Sequence, residues 1–245
     1  MTDIEMLAQK AGIKAARAEA GFYEKPGIDE IRHSIDHTLL SASSTKEDIK
    51  ALCEEAHAYG FAAVCVPPLW IPCARNHLEG KPQKVVAAIA FPLGTLPLEV
   101  KVNEINWAIE NGAEELDVVA TISDIIDENR QAVREEFRAL REAASGKCLK
   151  IIIETPLLND RQKFLCVNIA EQTGVDYLKT GTGFAGPVTF YDVAFLRTVA
   201  SDSLHVKASG GIRTLVSAGI LRALGADRLG ASRATSFLPL PDQKS

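Results

Sequence analysis

Two lysines carry the strongest chemical signal in this chain. Lys179 lies in Tyr-Leu-Lys-Thr-Gly-Thr-Gly (177–183) and Lys207 in His-Val-Lys-Ala-Ser-Gly-Gly (205–211). Each sits in a short apolar run that reads as a β-strand, and each run ends in glycines. An ammonium is costly to desolvate, so two such strands in succession point to lysines that are used. An amine driven toward neutrality by burial and a like charge is a nucleophile for carbonyl carbon, the chemistry of Schiff bases.

Side chains of a strand alternate between its two faces. On 176–182, Leu178 and Thr180 share one face and Lys179 takes the other; on 205–209, Val206 and Ala208 oppose Lys207. With the aliphatic residues turned toward surrounding helices, both lysines point inward. Adjacent strands lie about 4.8 Å apart, so each ammonium is expected to lower its neighbour's affinity for a proton. The same alternation turns inward Asp117 on 115–120, Asp36 and Thr38 on 34–40, Ala63 and Cys65 on 62–67, and Lys150, Ile152 and Glu154 on 149–154. For Asp36, Lys150 and Glu154 an internal salt-bridge network is an equal alternative to chemistry, because buried charges come paired.

The elements that must hold these residues follow a regular rhythm. Eight apolar, Val- and Ile-rich runs (34–40, 62–67, 85–91, 115–120, 149–154, 176–182, 205–209 and 227–231) alternate with amphipathic stretches. Ser44 and Glu47 read as a capping box before a helix over 46–59, a helix over 99–111 stops at Gly112, and Thr214 caps a helix over 215–224 ahead of Gly225. Eight strand–helix units without an internal break predict a closed (β/α)8 TIM barrel over 28–245. A doubly wound open sheet, the rival, has fewer strands and a glycine-rich loop after its first. Residues 3–20 form an extra N-terminal helix, with Ile4, Leu7, Ala8, Ala11 and Ala15 on one face, stopped by Pro26-Gly27. The 1–27 extension is expected to cover one end of the fold or pack on another subunit.

In such barrels chemistry sits at the C-terminal strand ends, and the loops after strands seven and eight bind phosphate through backbone N–H groups. Ser209-Gly210-Gly211 and Gly230-Ala231-Ser232 stand there, and Gly183 extends the site from strand six. Arg213 and Arg233 read as solvated surface arginines, and Phe91-Pro-Leu-Gly94 as a turn shaping the pocket mouth. His33-x-x-x-His37 has a metal-like spacing but no third ligand nearby, so both read as structural and no metal is expected. Cys65 reads as a small core residue with no base to activate it.

Composition sets the remaining bounds. The 245 residues are 47% hydrophobic and 24% charged, with a net charge of −5 and no basic block, which argues against nucleic acid or an anionic membrane as partner. Five cysteines, an odd number with no Cys-x-x-Cys, fit a reducing compartment. No leader-like apolar segment or membrane-length run is present, so a cytoplasmic location is expected.

At this point the motifs resemble a known family. IDHTLL (35–40), VCVPPLWI (64–71), FPLG (91–94), ELDVV (115–119), KIIIET (150–155), YLKTGTGF (177–184), VKASGGIRT (206–214) and LGAS (229–232) resemble, in order, the class I aldolase family of deoxyribose-phosphate aldolase. The resemblance implies a metal-free (β/α)8 barrel that cleaves 2-deoxy-D-ribose 5-phosphate reversibly to D-glyceraldehyde 3-phosphate and acetaldehyde through a lysine Schiff base. It implies no cofactor, a sugar-phosphate substrate, and a homodimer or larger homo-oligomer as the assembly to test. It places the imine on Lys179, with Lys207 and the aspartate Asp117 as its catalytic partners. Substrate-binding positions fall on Asp36, Cys65, Lys150, Thr180, Gly183, Gly210, Gly211, Gly230 and Ser232. Three positions depart from the family pattern: Gly181 stands for a common serine, Ala120 for a frequent asparagine, and the tail ends without the tyrosine of some members. Gly181 keeps open a class I lyase acting on another aldehyde or keto sugar phosphate, and a non-catalytic sugar-phosphate binder is the other alternative.

Overall fold

The computed structural model describes residues 2–241. Its frame is a closed parallel barrel in which each strand pairs with its sequence neighbours and β8 returns to β1. The strands are β1 Ile35–Thr38, β2 Ala63–Val66, β3 Lys84–Ile89, β4 Glu115–Val119, β5 Cys148–Ile152, β6 Tyr177–Lys179, β7 His205–Ser209 and β8 Arg228–Ala231. The helices among the described residues are α1 Asp3–Glu19, α2 Ile28–Arg32, α3 Lys46–Tyr59, α4 Ile71–His77, α5 Leu98–Glu110, α6 Ile122–Ile126, α7 Arg130–Ala143, α8 Asp160–Thr173, α9 Phe190–Val199 and α10 Leu215–Ala223. No helix among the described residues is long and apolar enough to cross a membrane.

The strand sequences explain the two-layered core. Outward residues such as Val64, Val66, Val85, Ala87, Ile89, Leu116, Val118, Leu149 and Ile151 pack with the helices in one large apolar layer. Inside the barrel, Ala63, Cys65, Val86 and Ala88 form a separate apolar wall on β2 and β3, joined by Leu40 and Phe91. The rest of the lumen carries charge. This division follows the period-two alternation, and burial on both faces is what a barrel strand requires.

Several local expectations shift by a residue or more. The α3 cap is Thr45, whose hydroxyl accepts from the Asp48 N–H while Asp48 caps the Thr45 N–H, so the box lies one residue beyond Ser44 and Glu47. β6 ends at Lys179, so residues 180–182 belong to the loop. β3 stops at Ile89 because Ala90 turns left-handed (φ 53°), its N–H taken by the Glu104 carboxylate at 2.7 Å. The α1 helix, capped by Thr2 with Glu5, buries Ala11, Ala15 and Ala18 and lies along α9. Small residues on that face let the two helices approach closely.

Gly94 fixes the turn after β3. Its φ is +69°, and a Cβ there would stand 2.2 Å from the Ala120 carbonyl oxygen and 2.8 Å from a Val119 methyl. The 91–94 turn therefore rests on the end of β4 without a side chain between them. Gly94→Ala is expected to destabilise the protein by about 2–4 kcal/mol, from a left-handed backbone and an overpacked contact together. Urea unfolding checks this, and a midpoint unchanged from wild type refutes it.

Candidate active site

Asp117 is the centre of the charged lumen. Its place at the middle of β4, opposite Lys150 on β5 and Ala88 on β3, points it into the barrel, where it is fully buried. Its Oδ2 accepts from Lys179 Nζ at 2.9 Å and from Lys207 Nζ at 2.6 Å. Its Oδ1 faces Lys150 Nζ at 3.2 Å without hydrogen-bond geometry. Lys179 and Lys207 lie directly opposite each other on β6 and β7.

Below this level lies a second one that sequence reasoning missed in part. Lys207 also donates to Asp36, Arg228 donates to Asp36 and Glu115, and Lys150 donates to Glu115 at 2.5 Å. Glu115 and Arg228 open their strands, and both turn inward and close the floor. The Lys150 ammonium also lies 5.7 Å from the Tyr177 ring centre. Four cations (Lys150, Lys179, Lys207, Arg228) thus face three carboxylates (Asp36, Glu115, Asp117). Among the described residues, three of these cations have two carboxylate partners each, whereas Lys179 has only Asp117.

The electrostatics follow from this packing. Burial pushes the Asp36 carboxyl up, but Lys207, Arg228 and Lys150 outweigh it and hold its pKa at about 2. Asp117 is likewise held well below the usual carboxylate range: burial opposes this, and Lys179, Lys207 and Lys150 overcome it. For Lys207, burial lowers the proton affinity, yet Asp117 and Asp36 more than compensate and raise it. This corrects the expectation that like charges would dominate; the shared carboxylates do. Lys150 is raised for the same reason, burial being overcome by Asp117 and Glu115. The Cys65 thiol, 4.0 Å from Asp117, is driven up to about 11, chiefly by burial, and acts as part of the apolar wall.

Lys179 reaches a cavity of about 280 Å³ at the C-terminal end of the barrel. Gly183, Gly210, Gly211, Gly230 and Ser232 line it, as do Arg213 and Arg233, which are exposed but border the cavity. Among the described residues the N–H groups of Gly183, Gly210, Gly211 and Ser232 and both guanidinium groups have no hydrogen-bond or ion-pair partner. Among the described residues no carboxylate lines the space. Unpartnered N–H groups and two cations without an acid beside them are a lining whose charge suits an anion.

Other expected residues lie elsewhere. Asp36, Cys65, Lys150 and Lys207 are buried and do not line the cavity. Thr180 does not reach it; its hydroxyl accepts from the Ser209 N–H and donates to the Ser209 carbonyl, strapping β6 to β7. Glu154 is not part of the lumen network, because the chain turns left-handed there (φ 55°) and sends the carboxylate to Thr182. His37 bonds Glu55 at 2.7 Å and meets the Phe61 ring edge-on. Among the described residues no group of three or more His, Cys, Asp or Glu side chains could hold a metal.

The charged lumen sets the pH response. Asp36, lowered from 3.8 to about 2, and Asp117, lowered from the same value, contribute stability above pH 3.8 that is lost as pH falls toward about 2. Lys207, raised above 10.5, contributes stability below that pH that is lost above it. The melting temperature is therefore expected to form a plateau between these limits. Asp36→Asn should cost about 3 kcal/mol on the plateau by leaving buried cations underpaired, and should flatten the acid limb. Calorimetry across pH checks both, and an acid limb as steep as wild type's contradicts the assignment.

Comparison with known proteins places the chain. The pattern of the DeoC/LacD family of aldolases matches residues 32–233. Deoxyribose-phosphate aldolase of Geobacillus sp. (strain WCH70) is 44% identical over 212 residues, covering 86% of this chain and 95% of that protein. The enzyme of the same name from Halalkalibacterium halodurans is 44% identical over 211 residues, covering 85% and 94%. The tetrameric deoxyribose phosphate aldolase structure from Aeropyrum pernix superposes with a TM-score of 0.81 at 33% identity, covering 95% of each chain. With a lysine pair on one buried aspartate beneath a glycine-lined cavity, and with these relatives, the chain belongs to the DeoC/LacD family of aldolases.

Proposed function

We propose that the protein cleaves 2-deoxy-D-ribose 5-phosphate reversibly to D-glyceraldehyde 3-phosphate and acetaldehyde, with Lys179 as the Schiff-base nucleophile. The observation that carries this reading is the placement of Lys179 Nζ at the base of the cavity, held by one carboxylate oxygen that Lys207 also holds. The names of the bacterial relatives support the substrate.

Lys179, as the free amine, attacks the aldehyde carbon of the open-chain sugar. Loss of water leaves a protonated imine, an electron sink conjugate to C2. A water held by Asp117 and Lys207 takes the C3 hydroxyl proton, the C2–C3 bond breaks, and its electron pair forms the enamine while glyceraldehyde 3-phosphate leaves. Proton return to C2 and hydrolysis of the imine release acetaldehyde and restore the amine. Lys207, with its proton affinity raised by Asp117 and Asp36, serves as the retained proton donor beside the reacting amine. The phosphate binds the free N–H groups and Arg213 and Arg233, away from the breaking bond, so its binding energy orients the reacting end. The tetrameric relative supports a homo-oligomer for this chain as well.

Incubation with acetaldehyde, borohydride reduction and peptide mass spectrometry is expected to find a stable adduct on Lys179, insensitive to chelator. An adduct confined to surface lysines sinks the mechanism. Lys179→Leu is expected to abolish cleavage. Arg213→Ala and Arg233→Ala are each expected to raise KM for the phosphorylated sugar by about tenfold, the scale of one charge-assisted hydrogen bond. Steady-state kinetics decide, and unchanged KM in both variants removes the arginines from the site.

A further inference from the structure

Glu154 is a carboxylate that neither the lumen network nor the cavity uses. It is 4% exposed and sits in a left-handed backbone that residues other than glycine rarely adopt. Its Oε1 accepts from the Thr182 N–H at 3.1 Å, and its Oε2 accepts from the Thr182 hydroxyl at 2.6 Å. That hydroxyl in turn accepts from the Phe184 N–H at 3.1 Å. Gly183, with its unpartnered N–H, lies between these two anchored residues.

The carboxylate lies directly against Gly181. A Cβ on Gly181 would stand 2.5 Å from Glu154 Oε1. The turn that carries Glu154 also supports the loop from below: the Thr155 N–H donates to the Thr180 carbonyl at 2.6 Å, and Pro156 packs under Gly186. The loop's far side touches Gly210 on the β7 end. A buried carboxylate thus holds the one segment that joins the amine-bearing strand to the anion-binding rim.

We infer that Glu154 is a positioning residue that orders residues 181–184 so that the Gly183 N–H points at the anionic end of the ligand. Both oxygens of Glu154 are turned to Thr182, and the carboxylate does not line the cavity, so its charge is spent on the loop rather than presented to an anion. The inference rests on the aldolase reading only for the kinetic arm of its test.

The test measures inorganic phosphate binding by calorimetry and, separately, cleavage of deoxyribose 5-phosphate and of unphosphorylated deoxyribose. Glu154→Ala is expected to weaken phosphate binding and raise KM for the phosphorylated sugar, each by about tenfold, the loss of one charge-assisted hydrogen bond. The kcat and the turnover of unphosphorylated deoxyribose should change less than about twofold. Glu154→Gln, which keeps an acceptor for the Thr182 N–H, should recover most of the loss. Thr182→Val, which removes the hydroxyl that links Glu154 to the Phe184 N–H, should reproduce the Glu154→Ala pattern and decides the matter if that variant does not fold. Wild-type phosphate affinity in Glu154→Ala or, failing its folding, in Thr182→Val overturns the inference. So does an equal fall in turnover of both sugars, and so does an absence of phosphate binding by the wild-type protein. Phosphate binding that responds as stated, in a protein that forms no imine, would overturn the aldolase mechanism and leave the role of Glu154 standing.

Discussion

The structure turns on a single carboxylate shared among three ammonium groups. Asp117 is fully buried, and the ammonium groups of Lys150, Lys179 and Lys207 all converge on it. That convergence sets the register of β4 through β7, since a one-residue slip of any strand would move its charged side chain into the outer apolar layer. It also leaves the lysine with the fewest partners at the open end. Structural need and chemical use are therefore the same arrangement seen at different depths.

Strand ends near the mouth are held by a second kind of carboxylate, placed outside the lumen. Glu136 accepts from the N–H and hydroxyl of Thr121 after β4, and the buried Lys101 ammonium ties it to Thr121 and the Val119 carbonyl. Asp192 accepts from Thr155 after β5 and is paired with Lys163 at 2.6 Å. Glu104 takes the Ala90 N–H after β3 and is raised by its burial, an effect the hydrogen bond only partly offsets. Where ladder hydrogen bonds run out, an acidic side chain satisfies the leftover donors. Loops held in this way can carry a binding site without flexible slack.

Much of this was readable before any coordinates. The apolar runs with a lysine or aspartate at an odd position revealed both the strands and the inward faces, because period-two alternation survives in any barrel. The partners at the floor were harder. Glu115 and Arg228 stand first in their strands, where sequence alone cannot distinguish a solvated end from a lumen-facing one. Glu154 followed the alternation on paper and left it in space, since a left-handed turn at a glutamate has no composition signal. Arg213 and Arg233 are exposed, as their neighbourhood suggested, but exposure and cavity lining are compatible at a rim. The titration behaviour of Lys207 depended on distances to two carboxylates, which spacing does not contain.

Gly230 has a consequence that reaches beyond its place on the rim. It lies opposite both Asp36 and Ser209 in the sheet, and a Cβ there would stand 2.9 Å from the Ser209 Cβ and 3.5 Å from Lys207 Cε. Nearly everywhere else the cavity wall and the buried charges are separate layers, so one can be altered while the other is left alone. At Gly230 a single added methyl group would press on the Ser209 side chain and touch Lys207 as well. The cavity wall and the layer of buried ammonium groups meet at this residue, so a change made there reaches the surroundings of both.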